Sequence, residues 1–333
     1  MRTNHAALIT ALPAERLEAF VKDWLSVRTR DYHSSQRWNG TGDMGRDVVG
    51  YVTERRHEGD WDNYQCKQLG TRLSEASAFV ELGKIFMHVA DGAFRLPRAY
   101  FFVAPRGMVR NVLTFIAHPE RFRQAFIDRW DDVCAPALVE NSVVPLSPEI
   151  EAAIRAFDFT RVHGFDAGSL SEDPAIRPVL VKWFDDDPGE APPGVVPEDM
   201  QAEEAPYLRQ LVDAYGERET IVFAGAHEVL THPVWGDDLR DQRQRFFHAV
   251  EFKRYYREST FPEVMSAFTE DVYHGVVDTH REAYPDALGR MTAVMKEAKS
   301  VAPAGALARY ARVPVKQGVC HHFINEGRLS WKR

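Results

Sequence analysis

Residues 40–68 read GTGDMGRDVVGYVTERRHEGDWDNYQCKQ, and the folding of this stretch decides how the first half of the chain is organised. Glycines and acids lead into the valine-rich segment 47–53, a charged interval turns the chain, and 62–68 returns through Tyr64, Gln65, Cys66 and Lys67. Two extended segments around a polar turn predict a β-hairpin. Alternate residues of a strand face the same way, so Gln65 and Lys67 project together while Tyr64 and Cys66 turn to the other side. Asp47 opens the first strand and comes alongside that pair if the strands are hydrogen-bonded. Taken alone, an aspartate at a strand entrance is as readily an ordinary turn residue.

Upstream, LPAERLEAFVKDWLSVR (12–28) carries Leu17, Phe20, Val21, Trp24 and Leu25 on one helical stripe. Pro13 suits the first turn, and Glu15 and Glu18 complement the helix dipole there. Downstream, 74–90 reads as a helix and RAYFFVAP (98–105) as a buried strand ended by proline. Residues 119–131 place Phe122, Phe126 and Trp130 four apart on another amphipathic helix. An α–β–β–α–β order predicts an α/β fold, a small mixed sheet flanked by helices. From 136 to 205 the chain is rich in proline, glycine and acids, which predicts an irregular connector. Beyond it, 206–333 reads as mainly helical. The expected division is therefore 1–135, 136–205 and 206–333.

The chain has 333 residues, enough for two cores, with 44% hydrophobic and 27% charged residues, as in ordinary globular proteins. No apolar run is long enough to span a bilayer, and the N-terminus lacks a signal-peptide core. Cys66, Cys134 and Cys320 are too few for a disulfide framework, so a reducing cytoplasm is expected. A net charge of −8 argues against a whole-molecule grip on nucleic acid but permits a local basic groove.

Glu18 lies at the edge of the apolar stripe, where packing can hold its carboxylate near the sheet. Two carboxylates, an amide and an ammonium then converge: Asp47, Glu18, Gln65 and Lys67. Such hard oxygen ligands suit Mg²⁺ or Mn²⁺ and metal-assisted phosphodiester hydrolysis. Asp47 and Glu18 would carry the electrostatics of metal binding, with Gln65 and the Cys66 backbone carbonyl as further ligands. Lys67 would orient the attacking water and meet the phosphate.

These residues resemble the Mrr-type branch of the PD-(D/E)xK restriction-endonuclease superfamily. The likeness lies in G-x-G-D-x-G-x-D at 40–47, Q-x-K at 65–67 and the glutamate of the first helix, and it covers roughly 10–105. It implies a restriction-endonuclease-like sheet, catalytic roles for Asp47, Gln65, Lys67 and Glu18, and double-stranded DNA as substrate; Asp43 would shape the loop. The segments IRAFDFTRVHGF, EEAPYLRQLVDAYGE and LRDQRQRFFHAVEFKRYYRES resemble the C-terminal part of effectors in bacterial ABC three-component systems, including the Lamassu-type nuclease subunit. That likeness implies an SMC-like ABC ATPase and a small third subunit as partners. It also implies antiphage defence, with cleavage switched on by release and self-association into a homo-oligomer. Two other readings stand beside it: a catalytically inactive DNA- or partner-binding subunit on the same fold, and an RNA-processing or junction-resolving nuclease.

Other motifs have plainer explanations. Cys66 is expected as a small core residue, and the adjacent Cys320, His321 and His322 cannot easily all ligate one ion. The arginines and lysines of 240–257 alternate with acids, as on a solvated helix face. Arg106 and Arg110, just past the buried strand, are the better DNA-contact candidates, with Lys84 a weaker one.

Overall fold

The 40–68 segment folds around a hairpin. The strand β1 (Ser34–Arg37) pairs antiparallel with β2 (Val48–Tyr51), and β2 pairs antiparallel with β3 (Trp61–Cys66), with Val48 opposite Tyr64. The structure is a computed structural model describing residues 3–38, 40 and 43–332, so Thr41 and Gly42 of the glycine-rich motif lie outside the described residues. The chain divides into two units, Met1–Phe184 and Asp185–Arg333.

In the first unit, α1 (His5–Thr10) and α2 (Ala14–Val27) precede the strands already described. After β3 the chain runs through α3 (Glu75–Ala90) into β4 (Ala99–Val103), which lies parallel to β3. Parallel pairing requires such a crossover, and α3 supplies it. Next come α4 (Arg110–Ala117), α5 (Pro119–Asp128) and α6 (Pro148–Ala156). The chain then enters β5 (Val162–Phe165), parallel to β4, followed by α7 (Ala167–Ser171) and α8 (Arg177–Phe184). The sheet order is β1-β2-β3-β4-β5.

The two faces of the sheet are covered by different helices. On one face, Trp24 of α2 packs edge-on against Tyr64 and Phe165, and Phe101 stacks between those two strands. All five residues of the α2 stripe are buried, each worth roughly 1.5–3 kcal/mol of transfer free energy. On the other face, Tyr100 and Phe102 join a core with Phe79, Leu82 and Phe86 of α3 and Phe122 and Phe126 of α5. Ser74 caps α3 by accepting the Ser77 N–H at 3.2 Å. Asn63 and Gln65 lie opposite Tyr100 and Phe102 in register, so they face α3 as well.

The irregular connector expected over 136–205 is corrected for much of its length. Residues 148–184 contain α6, β5, α7 and α8, and Ile154, Phe157, Phe159 and Val162 belong to the first core. The expected boundary at 135 accordingly moves to Phe184. The cause is tertiary: β5 is four residues long and includes a histidine and a glycine, so its place is set by β4 and not by any pattern of its own. The irregular stretch 185–201 packs within the second unit. There Tyr255 and Tyr256 donate their hydroxyls to the carbonyls of Pro188 (3.0 Å) and Gly189 (2.6 Å).

The second unit is helical among its described residues: α9 (Ala205–Glu219), α10 (Ala226–Leu230), α11 (Trp235–Ser259), α12 (Pro262–Arg281), α13 (Ala287–Ser300) and α14 (Val313–Asn325). The long α11 lies so close to α14 that a Cβ on Gly318 would overlap the Arg245 carbonyl oxygen. Arg243 forms a buried, bidentate ion pair with Glu204 at 2.8 and 2.9 Å. His321 and His322 are packed in this core, with His321 Nε2 2.9 Å from Gln242 Oε1. Burial holds His321 well below the usual histidine range and pushes His322 down to about 3. Among the described residues, no helix is long and apolar enough to cross a membrane.

Candidate functional site

Asp47 stands one residue before β2, at the end of a turn that Asp43 shapes by accepting the Gly45 N–H on its Oδ1 at 2.9 Å. Gly45 has φ +81°, and a Cβ there would come within 2.8 Å of Lys84 Cβ, so the turn rests directly on α3. Arg46 braces the same turn. Its guanidinium lies over Trp38 at 4.3 Å and Phe94 at 4.5 Å, and it meets His57 Nε2 at 2.9 Å. Asp47 continues the β1–β2 ladder by accepting the Trp38 N–H on its carbonyl at 2.9 Å.

The Asp47 side chain is only 8% exposed. Its Oδ2 accepts two hydrogen bonds of 2.7 Å, one from Gln65 Nε2 and one from the Cys66 backbone N–H. Extending the β2–β3 register by one step places Gln65 opposite Asp47, which explains the first contact. Burial pushes the Asp47 carboxyl up to about 7, against the lowering effect of Lys67 and the Cys66 N–H; Glu18 and Glu81 add to the rise. Near neutral pH this group therefore sits at the balance between its protonated and charged forms.

Gln65 is 2% exposed, and its Oε1 has no hydrogen-bond partner. A buried carbonyl oxygen without a donor is costly and rare. Cys66 is buried, and burial pushes its thiol up, so its side chain is inert packing. Its N–H points at Asp47, and in an extended strand the carbonyl of the same residue faces the same edge.

Lys67 follows directly on β3, and its Nζ lies 2.8 Å from Glu81 Oε1 on α3. Lys84 Nζ meets the same carboxylate at 3.1 Å. Glu18 comes from α2, on the other face of the sheet, and pairs with Arg37 of β1 at 3.7 Å. Burial raises its carboxyl above the usual range, opposed by Arg37 and Lys67. Asp47, Gln65, Cys66 and Lys67 thus meet at one strand end, with Glu18 in electrostatic reach. Arg106, past β4, donates its Nε to the Leu69 carbonyl at 3.1 Å, and Arg110 is exposed in the first turn of α4.

Glu81 is the residue that the motif reading passes over. The signal was present: a carboxylate between Ala78 and Ile85 on the apolar face of α3 is out of pattern unless something pairs with it.

Among the described residues, no three His, Cys, Asp or Glu side chains gather as a metal-binding group. A cation at this site would instead be held by mixed oxygens: the Asp47 carboxylate, the orphan Gln65 Oε1, the Cys66 carbonyl and water, with Glu18 as the second carboxylate. One or two carboxylates with water is the usual environment of Mg²⁺, so the donor set fits that ion.

Residues 204–331 match the family described as C-terminal domain 6 of the ABC-three component (ABC-3C) systems. The chain is thereby a component of an ABC-3C system, which implies an ATPase among its partners. No curated protein matches the chain, and no solved structure does.

Proposed function

We propose that the first unit is a Mg²⁺- or Mn²⁺-dependent DNA endonuclease of PD-(D/E)xK type, the effector of an antiphage ABC-3C system. The observation that carries this reading is the Asp47–Gln65–Cys66 cluster, with its unpartnered Gln65 Oε1 and with Lys67 beside it. When bound, the cation supplies a water of lowered pKa and neutralises charge developing on phosphate. Asp47 and Glu18 provide the negative charge that holds it, and the neutral Gln65 completes the oxygen set. Gln65 Nε2 and the Cys66 N–H both bond the same Asp47 oxygen and so fix the orientation of the carboxylate. Lys67 brings an ammonium to the attacked phosphate and orients the water in line. In this reading the second unit docks on a DNA-sensing, SMC-like ATPase, and self-association of the released effector switches cleavage on.

A second reading, a DNA- or partner-binding unit that does not cleave, is favoured by one observation. A neutral glutamine stands beside Asp47, and among the described residues no third acidic, cysteine or histidine donor closes a metal-binding group with it. Cleavage of duplex DNA by the full chain with its ATPase partner, with and without Mg²⁺, separates the two readings. Loss of activity in Lys67→Ala supports the nuclease, and equal residual activity in wild type and variant supports the binding unit.

A further inference from the structure

Glu81 belongs to no recognised motif, yet it pairs with two lysines beside the site. It is 9% exposed, on the buried face of α3. Lys67 Nζ lies 2.8 Å from its Oε1, and Lys84 Nζ lies 3.2 and 3.1 Å from its two oxygens. Lys67 ends the arm formed by β3. Lys84 stands one turn along α3, and it is against Lys84 that the Gly45 turn rests, the turn whose end is Asp47. One carboxylate therefore holds the ammonium of one arm and the ammonium of the lysine whose Cβ lies against the other.

A buried carboxylate without partners is strongly disfavoured, and two ammonium groups account for this one. The Lys67 side chain has a flexible four-carbon stem, and nothing about the end of a strand selects one rotamer. The Glu81 contact selects it, and the same carboxylate is close enough to Asp47 to contribute to its raised protonation.

We infer that Glu81 is a positioning residue that fixes the Lys67 ammonium relative to Asp47 by sharing its carboxylate between Lys67 and Lys84. Its effect on rate rests on the nuclease reading, whereas its hold on Lys67 does not.

The test uses the full chain and two readouts. The first is acetylation of Lys67 by an amine-reactive reagent, followed by peptide mass spectrometry. The second is Mg²⁺-dependent cleavage of linear duplex DNA in the presence of the ATPase partner. Glu81→Gln keeps the shape and removes the charge. It is expected to raise Lys67 labelling several-fold and to lower kcat about 10- to 100-fold, with KM for DNA little changed. Glu81→Asp keeps the charge with a shorter reach; it is expected to give Lys67 labelling and a rate intermediate between wild type and Glu81→Gln, and wild-type labelling in this variant overturns the inference if Glu81→Gln does not fold. Unchanged Lys67 labelling in both variants overturns the inference, as does increased labelling with full cleavage. If the wild type does not cleave DNA, the nuclease reading fails, and Lys67 labelling alone still decides whether Glu81 holds it.

Discussion

Replacing Asp47 by asparagine is predicted to stabilise the protein at alkaline pH and to leave it nearly unchanged in acid. The Asp47 carboxyl is raised from its ordinary 3.8 to about 7, chiefly by burial. Between those pH values the folded state keeps a proton that the unfolded chain has lost. The group's contribution to stability is therefore complete below the unfolded value and is lost as pH rises through the folded one. At about 1.36 kcal/mol for each pKa unit, the full loss is on the order of 4 kcal/mol. More than half of it falls between pH 5 and pH 8. Asparagine has nothing to ionise, and its Oδ1 can still accept the hydrogen bonds from Gln65 Nε2 and the Cys66 N–H. Urea denaturation of both proteins without divalent cations, followed by tryptophan fluorescence, measures the difference at each pH. Titrating groups that do not interact with Asp47 cancel in that difference. The stability advantage of Asp47→Asn over the wild type should grow by about 2–3 kcal/mol from pH 5 to pH 8. A difference independent of pH would refute the claim that Asp47 is held protonated by its surroundings.

The same protonation predicts that Mg²⁺ raises the thermal midpoint of the wild type more at pH 8 than at pH 6, because a carboxylate must lose its proton to bind a cation. Asp47→Asn should weaken that pH dependence in a thermal-shift assay. In the second unit, Gly318→Ala drives a methyl into the Arg245 carbonyl and should cost about 1–3 kcal/mol or more in chemical denaturation. Glu204→Ala leaves Arg243 buried without its carboxylate and should cost about 3–5 kcal/mol by the same measurement.

Periodicity decides which parts of the fold can be read from sequence. The α2 stripe, the 47–68 hairpin, the apolar run of β4 and the long C-terminal helices all carry a repeat of two or near four, and each forms where its repeat lies. β1 is SSQR and β5 is VHGF, both short and partly polar, and they are strands because β2 and β4 offer them hydrogen-bonding edges. α14 escapes a reading by pattern because Pro314, Gly318 and two histidines break its hydrophobic repeat. Its place is set by the close approach to α11 and by the His321–Gln242 contact. At the site, strand geometry is enough to place Asp47, Gln65 and Lys67. It is not enough for Glu81, because a contact between β3 and a helix leaves no fixed spacing in the chain.

The most direct test of the central claim is Mg²⁺-dependent cleavage of linear duplex DNA by the full chain, assembled with its ATPase partner, for the wild type and Lys67→Ala side by side. Cleavage by the wild type is expected to require the divalent cation and to be lost in the variant, with both proteins equally folded by circular dichroism. Equal activity in the two, or none in either under activating conditions, would contradict that claim.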